Sequence, residues 1–113
     1  MVNYKDPALD RTFAALADPT RRALLARLGR KSHSISELAA PLSMSLPAVM
    51  KHLAVLADAG LVTRKKSGRT VACTLNAAPM RRATAWLERY RQQWEARLDH
   101  LDNYLQRLVE EES

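Results

Sequence analysis

A helical pattern that begins at Ser45 leaves one face lined with small, polar and basic side chains. Val49, Leu53 and Leu56 are spaced four and three residues apart, which predicts the buried stripe of this helix. On the opposite face, Lys51 and Ser45 can each donate to guanine or to a phosphate. The apolar members of that face can pack on thymine methyl groups. The candidate base-reading residues are Ser45, Leu46, Ala48, Met50, Lys51 and His52.

A basic turn follows at residues 64–69, which read Arg-Lys-Lys-Ser-Gly-Arg. The alternation of apolar and polar residues around it predicts a β-hairpin with Ser67 and Gly68 in a two-residue turn. Cations in such a turn gain from counterion release when they meet a phosphate backbone or a minor groove. The alternative interpretation is a solvated basic turn. The candidate phosphate-contacting residues here are Lys65, Lys66 and Arg69.

Arg21 and Arg22 lie in the first turn of another predicted helix, which Asp18 caps and Pro19 opens. The helix macrodipole disfavours cations at this end, so a nearby anion is expected. A phosphate contact and an internal salt bridge both meet that requirement. The sequence leaves the two alternatives open.

The charge distribution also favours a nucleic-acid partner. The 113-residue chain carries a formal charge of +6. Residues 1–80 hold 12 Lys and Arg against 5 Asp and Glu, a balance of +7, whereas residues 81–113 hold 6 against 7, a balance of −1. The basic field therefore belongs to the first 80 residues.

Cys73 is the sole cysteine, so an intrachain disulfide cannot form and a reducing compartment is expected. We find no signal-peptide pattern and no apolar stretch near the roughly 18–20 residues that span a bilayer. These features predict a soluble cytoplasmic protein, associated with the nucleoid and without a membrane partner.

Helix boundary signals predict a mainly α fold with a small β-hairpin. Ser34 and Glu37 form a capping box at the start of a short helix. Gly60 is expected to adopt the left-handed conformation that ends the helix carrying Lys51, with Leu61 packing back on Leu56 in a Schellman motif. Two short helices followed by a hairpin have the outline of a winged helix-turn-helix.

A long amphipathic helix is predicted from about residue 79 to residue 111. Its apolar residues recur at intervals of three or four and form a seam that requires a partner surface. A second copy of the chain is the simplest partner, with the first helix assisting. The candidate dimer-interface residues are Leu9, Phe13, Leu87, Tyr90, Trp94, Leu98, Leu101, Leu105 and Leu108.

Four segments together resemble the ArsR/SmtB family of winged helix-turn-helix transcriptional repressors. They are Ala17-Asp18-Pro19-Thr20-Arg21-Arg22, Ser36-Glu37-Leu38-Ala39, Ser45-Leu46-Pro47-Ala48-Val49-Met50-Lys51-His52-Leu53 and Leu56-Ala57-Asp58-Ala59-Gly60-Leu61-Val62. The resemblance implies a single winged-helix domain over residues 1–113, with a helix-turn-helix at about 35–59, a wing at about 61–75 and a dimerisation helix at about 79–111. It also implies a homodimer that binds an inverted repeat in double-stranded DNA.

The sequence departs from the metal-responsive members of that family. Where they carry Cys-Val-Cys, this chain has Ala39-Ala40-Pro41, and His100 is the one histidine of the long helix. We therefore expect the non-metal-binding branch, with no metal and no cofactor. The histidines are interpreted as solvated or packed. Whether a small-molecule effector exists is unknown.

Three further residues have two interpretations each. Cys73 is expected to be a small apolar filler in a strand, and an intersubunit disulfide switch is the alternative. Trp86 and Trp94 are expected in the dimer seam, and a small-molecule pocket between terminal helices is the alternative.

No nucleophile with a base, phosphate-binding glycine loop or metal cluster is present, so the chain is not expected to be an enzyme. Two other functions remain open. One is an architectural protein that binds nucleic acid without sequence preference, and the other is a winged helix that binds proteins.

Overall fold

The computed structural model describes residues 5–112, which form five helices and three strands. In chain order they are α1 (Pro7–Leu16), α2 (Pro19–Leu28), β1 (His33–Ser34), α3 (Ile35–Ala39), α4 (Leu46–Asp58), β2 (Val62–Ser67), β3 (Thr70–Leu75) and α5 (Ala78–Glu112). The predicted fold class, mainly α with a small β-hairpin and a long C-terminal helix, is confirmed. The chain divides into two compact units, Met1–Ala83 and Thr84–Ser113.

The core of the first unit collects one or more apolar side chains from each of its principal elements. Burial of such aliphatic side chains contributes roughly 1.5–3 kcal/mol each, and this core holds α4 in place. The fully or almost fully buried side chains are Ala15, Leu24, Leu38, Val49, Leu53, Leu56, Leu61 and Cys73. The three α4 residues predicted as its buried stripe are all among them.

Side-chain caps fix where the helices of this unit begin. Asp18 Oδ2 accepts from the backbone N–H of Arg21 at 3.0 Å. Ser34 Oγ accepts from the Glu37 N–H at 3.1 Å, and Glu37 Oε1 accepts from the Ser34 N–H at 3.2 Å. These contacts satisfy N–H groups that a helix start leaves without partners. The capping box predicted from the sequence is therefore confirmed.

The sheet has three antiparallel strands in the order β1-β3-β2. The two-residue β1 was not predicted; it pairs His33 with Cys73 and Ser34 with Ala72. The hairpin turn lies one residue later than predicted, because Ser67 pairs with Thr70 and leaves Gly68 and Arg69 in the turn. Gly68 has φ +60°. A positive φ at the first turn residue alone is typical of the type II′ hairpin turn.

A Schellman motif ends α4, as predicted. Gly60 has φ +77°, the Leu61 N–H donates to the Leu56 carbonyl oxygen at 2.9 Å, and the Gly60 N–H donates to the Ala57 carbonyl oxygen at 2.9 Å. This pair of bonds turns the chain sharply toward β2. The left-handed conformation therefore fixes how the wing follows α4.

Gly60→Ala is expected to lower the free energy of unfolding by about 1–2 kcal/mol, because a Cβ atom disfavours the left-handed region. Gly29→Ala is the matched control, since Gly29 ends α2 with φ −67°; we expect a change within about 0.5 kcal/mol. Urea denaturation at one fixed protein concentration measures both values. Equal losses in the two variants would contradict the role given to the backbone of Gly60.

The second unit is a stretch of α5 with an exposed apolar seam. Trp94, Leu98, Leu101, Leu105 and Leu108 are spaced by four, three, four and three residues, which is the 3.5-residue average of a coiled coil. Their side chains are exposed, Leu101 at 53%, for example. The structure adds two exposed apolar side chains beside the seam, Tyr104 and Val109.

Candidate nucleic-acid interface

Helix α4 separates its buried and exposed faces sharply. Val49 and Leu53 have no accessible surface, whereas Leu46 and Met50 are 48% and 47% exposed. Lys51 is also exposed. Because a buried stripe anchors one side, the other side is presented outward on the first two turns of the helix. Residues on these early turns are the ones that a helix in the major groove directs at base edges.

Two other members of the predicted reading face have a more restricted environment. Ser45 is exposed, but its Oγ accepts from the Ala48 N–H at 3.3 Å and caps α4. Its hydroxyl proton is still available to donate to an outside group. Ala48 is half-buried. The face that remains fully open therefore centres on Leu46, Met50 and Lys51.

His52 turns toward the body of the protein instead of joining this face. Its side chain is 22% exposed, and its Nδ1 lies 3.3 Å from Nη1 of Arg21 and 3.8 Å from Oδ2 of Asp18. The Arg21 backbone N–H, which bonds the Asp18 carboxylate, is the main reason why the pKa of Asp18 is lowered. His52 therefore belongs to a polar cluster between α2 and α4, apart from the exposed face of Leu46, Met50 and Lys51.

The guanidinium groups of Arg21 and Arg22 donate hydrogen bonds to backbone carbonyl oxygens at the C-terminal end of α1. Arg21 Nε donates to the Ala15 carbonyl oxygen at 2.7 Å, and its Nη2 donates to the Ala14 carbonyl oxygen at 3.1 Å. Arg22 Nη1 donates to the Leu16 carbonyl oxygen at 2.7 Å. Within residues 5–112 no carboxylate lies within 4.0 Å of either guanidinium group, so the internal salt bridge is absent there, and the phosphate contact stays a prediction. Instead, the carbonyl groups at the negative end of α1 satisfy the two cations.

The wing carries its cations on both faces of the β2–β3 ribbon. Directly opposite residues of an antiparallel pair share a face, and neighbours along a strand alternate. Lys66 pairs with Val71, on the face of the buried Cys73, whereas Lys65 pairs with Ala72 on the other face. Arg69 lies in the turn. The three predicted phosphate contacts therefore point in different directions from one exposed tip.

The exposed cations of α4 and the wing are available to an outside anion. Within residues 5–112, no carboxylate lies within 4.0 Å of the basic groups of Lys51, Lys65, Lys66 or Arg69. A fifth cation, Arg64, belongs to the predicted basic turn but not to the predicted phosphate contacts; it is exposed and pairs with Cys73. The signal available in the sequence for Arg64 was that it alternates with Lys65 and Lys66 along the same predicted strand. Together these groups give the surface a strongly positive field.

Cys73 lies inside the core with no accessible surface. Burial raises the pKa of its thiol, while the charge of Arg64 acts weakly in the opposite direction. A raised pKa reduces the thiolate fraction that reacts with oxidants. Both features favour the apolar-filler interpretation over the disulfide switch.

We expect a thiol reagent such as DTNB to label native Cys73 on the order of 100-fold or more slowly than the urea-unfolded chain, because labelling requires opening of the core. A Cys73→Ser variant gives the background, since the sequence has no other cysteine. Rapid labelling of the folded protein would show that the thiol is accessible and would reopen the switch interpretation.

The histidine and carboxylate positions do not assemble a metal site in the described part of the chain. No group of three or more His, Cys, Asp or Glu side chains there is placed to hold a metal ion. His33 instead lies 3.3 Å from Glu37 Oε2, one turn along from it. No helix within residues 5–112 has the length and hydropathy of a membrane-spanning segment.

The fold and this surface define a class of protein. Two short helices with the second one exposed, followed at once by a basic β-hairpin, form a winged helix-turn-helix. This arrangement places a helix and a positive wing on the outside of one small core.

Comparison with known proteins agrees with this class. A family model for a helix-turn-helix domain matches residues 16–65. The HTH-type transcriptional regulator Rv2034 of Mycobacterium tuberculosis is 46% identical over 68 residues, which are 60% of this chain and 62% of that protein. The uncharacterized HTH-type transcriptional regulator YuzN of Bacillus subtilis is 37% identical over 87 residues, covering 70% of this chain and 95% of YuzN.

A crystal structure supports the same assignment. The ArsR family transcriptional regulator RHA00566 matches with a TM-score of 0.75 and 44% identity, over 78% of this chain and 97% of that chain. The present chain belongs to the ArsR/SmtB family of transcriptional regulators, which bind DNA through their helix-turn-helix. The resemblance drawn from the sequence is therefore confirmed.

Proposed function

We propose that the chain is a homodimeric repressor without enzymatic activity that binds an inverted-repeat operator in double-stranded DNA. The observation that carries this proposal is the division of α4 into a fully buried stripe and an exposed face at Leu46, Met50 and Lys51. An exposed apolar and basic face beside a positive wing is suited to the bases of a major groove and the phosphates that flank it. Bound at a promoter, the dimer would block transcription.

In this proposal α4 reads base edges and the wing contacts phosphates. Lys51 donates to guanine or phosphate, while Leu46 and Met50 pack on thymine methyl groups. Lys65, Lys66 and Arg69 neutralise backbone phosphates on either side of the wing. Because α4 offers few hydrogen-bond donors, the shape and deformability of the operator contribute much of the specificity.

The dimer forms through the exposed seam of α5, with Leu9 and Phe13 of α1 contributing. A seam this apolar is a typical protein interface, and a two-fold axis pairs it with itself. The two copies of α4 then lie about one DNA turn apart, roughly 34 Å, which matches the half-site spacing of an inverted repeat. A monomer would hold one half-site weakly.

Selection of bound fragments from the source genome tests this function. We expect the recovered fragments to share one inverted repeat whose half-sites are protected from cleavage. A protein that binds DNA without sequence preference would return unrelated fragments. A winged helix that binds only proteins would return none.

Lys51→Ala is expected to weaken binding of the selected repeat by about 1–3 kcal/mol, or 5- to 150-fold, for each half-site, and to weaken binding of random DNA much less. Lys31→Ala is the matched control, because Lys31 is an exposed cation in the loop after α2. Fluorescence anisotropy with both duplexes measures the difference. Equal losses on both duplexes for Lys51→Ala would mean that Lys51 is a phosphate contact and that base reading lies elsewhere.

A further inference from the structure

The Arg21 side chain joins three helices through one guanidinium group. It originates in α2, donates to the carbonyl oxygens of Ala15 and Ala14 at the end of α1, and meets Nδ1 of His52 on α4 at 3.3 Å. It therefore links the last turn of α1 to the middle of α4, one residue beyond the exposed Lys51.

The chemistry of the two side chains determines which is the donor and which is the acceptor in this contact. A guanidinium group only donates hydrogen bonds, so Arg21 is the donor and His52 Nδ1 the acceptor in this contact. Arg22 caps the Leu16 carbonyl oxygen independently. The end of α1 therefore keeps a cap if the bond to His52 is removed, and the link to α4 can be tested separately from the capping of α1.

Apolar packing leaves part of the α1–α4 boundary open. A groove of about 210 Å³ lies there, lined by Arg21 and by residues that include Ala14, Val55 and Asp58. Val55 is 40% exposed. Because the side chains of α1 and α4 do not fill this space, packing does not constrain α4 on this flank. The contact between Arg21 and His52 supplies a constraint there.

We propose that Arg21 is a positioning residue for α4, acting through His52, and that this link determines how well the protein distinguishes its operator from other DNA. The inference rests on the DNA-reading role proposed for α4. Direct readout requires side chains held within about 0.5 Å of their productive geometry. Phosphate contacts by long lysine and arginine side chains tolerate larger displacements, so loss of the link reduces discrimination before it reduces general affinity.

His52→Leu and His52→Asn form the matched pair of variants. Leucine fills a similar volume without an acceptor, whereas the asparagine Oδ1 can accept from Arg21 near the position of Nδ1. In the free protein, we expect His52→Leu to speed amide hydrogen exchange of residues 49–55 about tenfold while the β2–β3 ladder is unchanged. His52→Asn is expected to restore slow exchange. The proposed link would be overturned if the amide exchange rate of α4 were unchanged in His52→Leu, or if it rose equally in α4 and in the β2–β3 ladder.

DNA binding supplies the functional readout. The probes are a duplex carrying the genome-selected inverted repeat and a scrambled duplex of the same composition. We expect His52→Leu to lower the affinity ratio between them about tenfold, with scrambled-DNA affinity and salt slope unchanged, and His52→Asn to recover most of that ratio. In an Arg21→Gln background, adding His52→Leu is expected to lower the ratio no further. The proposal would be overturned if His52→Leu left the affinity ratio unchanged or weakened binding to both duplexes equally. It would also be overturned if His52→Leu lowered the ratio further in the Arg21→Gln background.

The two assays distinguish this inference from the function on which it rests. If wild-type protein itself shows a ratio near one, the sequence-specific function fails, and the specificity claim fails with it. The exchange experiment still decides whether Arg21 holds α4 through His52. If the wild type discriminates and His52→Leu discriminates equally well, the positioning role alone is refuted.

Discussion

A Leu101→Glu variant is expected to behave as a 12.7 kDa single chain at concentrations where we expect the wild-type protein to be a dimer. Leu101 is 53% exposed in the single chain and lies in the middle of the α5 seam. Glutamate is nearly as good a helix former as leucine, so the helix itself should persist. The change buries a charge in the proposed interface, and an unpaired buried charge strongly opposes association.

Loss of the dimer is expected to lower affinity for the inverted repeat by about 100-fold or more, because linked half-sites gain roughly 10²–10⁴ from effective concentration. Asn103→Glu is the matched control: it introduces the same charge on the opposite face of α5 and should leave a dimer. Light scattering after gel filtration reports the mass, and anisotropy reports the affinity. A dimeric Leu101→Glu protein with normal operator binding would rule out the α5 seam as the interface.

The double variant Lys65→Ala with Arg69→Ala is expected to weaken binding to every DNA sequence. A dimer loses four cations in this variant. With about 0.9 counterion released per phosphate contact, the salt slope should fall by roughly 3.6, which corresponds to about 1000-fold in affinity at 0.15 M salt. The ratio between operator and random DNA should change little, since these contacts carry no base information.

Arg30→Ala with Lys31→Ala is the charge-matched control for the wing. Both residues are exposed and lie in the loop that leads to β1, the edge strand on the far side of the sheet from β2. We expect the salt slope of this variant to stay within about one unit of the wild-type slope. If the two double variants lose the same affinity, the wing makes no specific phosphate contact and only the overall charge of the protein matters.

Local signals in the sequence predicted most of the fold. The caps at Asp18, Ser34 and Ser45 and the Schellman motif at Gly60 depend on side chains within a few residues of the helix end. The buried stripe of α4 follows from helical periodicity. These features were predictable because neighbouring residues produce them.

Features that depend on contacts between distant residues were missed. The two-residue β1 has no periodicity of its own and exists because His33 and Ser34 meet Cys73 and Ala72. The hairpin turn was displaced by one residue because the cross-strand register of Ser67 and Thr70, not composition, places it.

The contacts of Arg21 and His52 were also unpredictable from local patterns. The sequence predicted a phosphate or a carboxylate partner for the cations in the first turn of α2. The actual acceptors are carbonyl groups of α1, which the short connection between α1 and α2 brings beside the guanidinium. The His52 side chain faces the body of the protein because α4 packs against α2. Helical periodicity alone did not decide whether this side chain would face inward or outward.

A competition titration against rising salt shows whether the protein recognises one DNA sequence or any DNA. Wild-type protein is mixed with an inverted repeat and a random duplex that carry different labels, and the binding of each is followed as the salt concentration rises. We expect a range of salt concentrations in which the repeat remains bound while random DNA is fully released, because base contacts persist when counterion release no longer favours binding. Simultaneous release of both duplexes at every salt concentration would contradict the conclusion that α4 reads sequence.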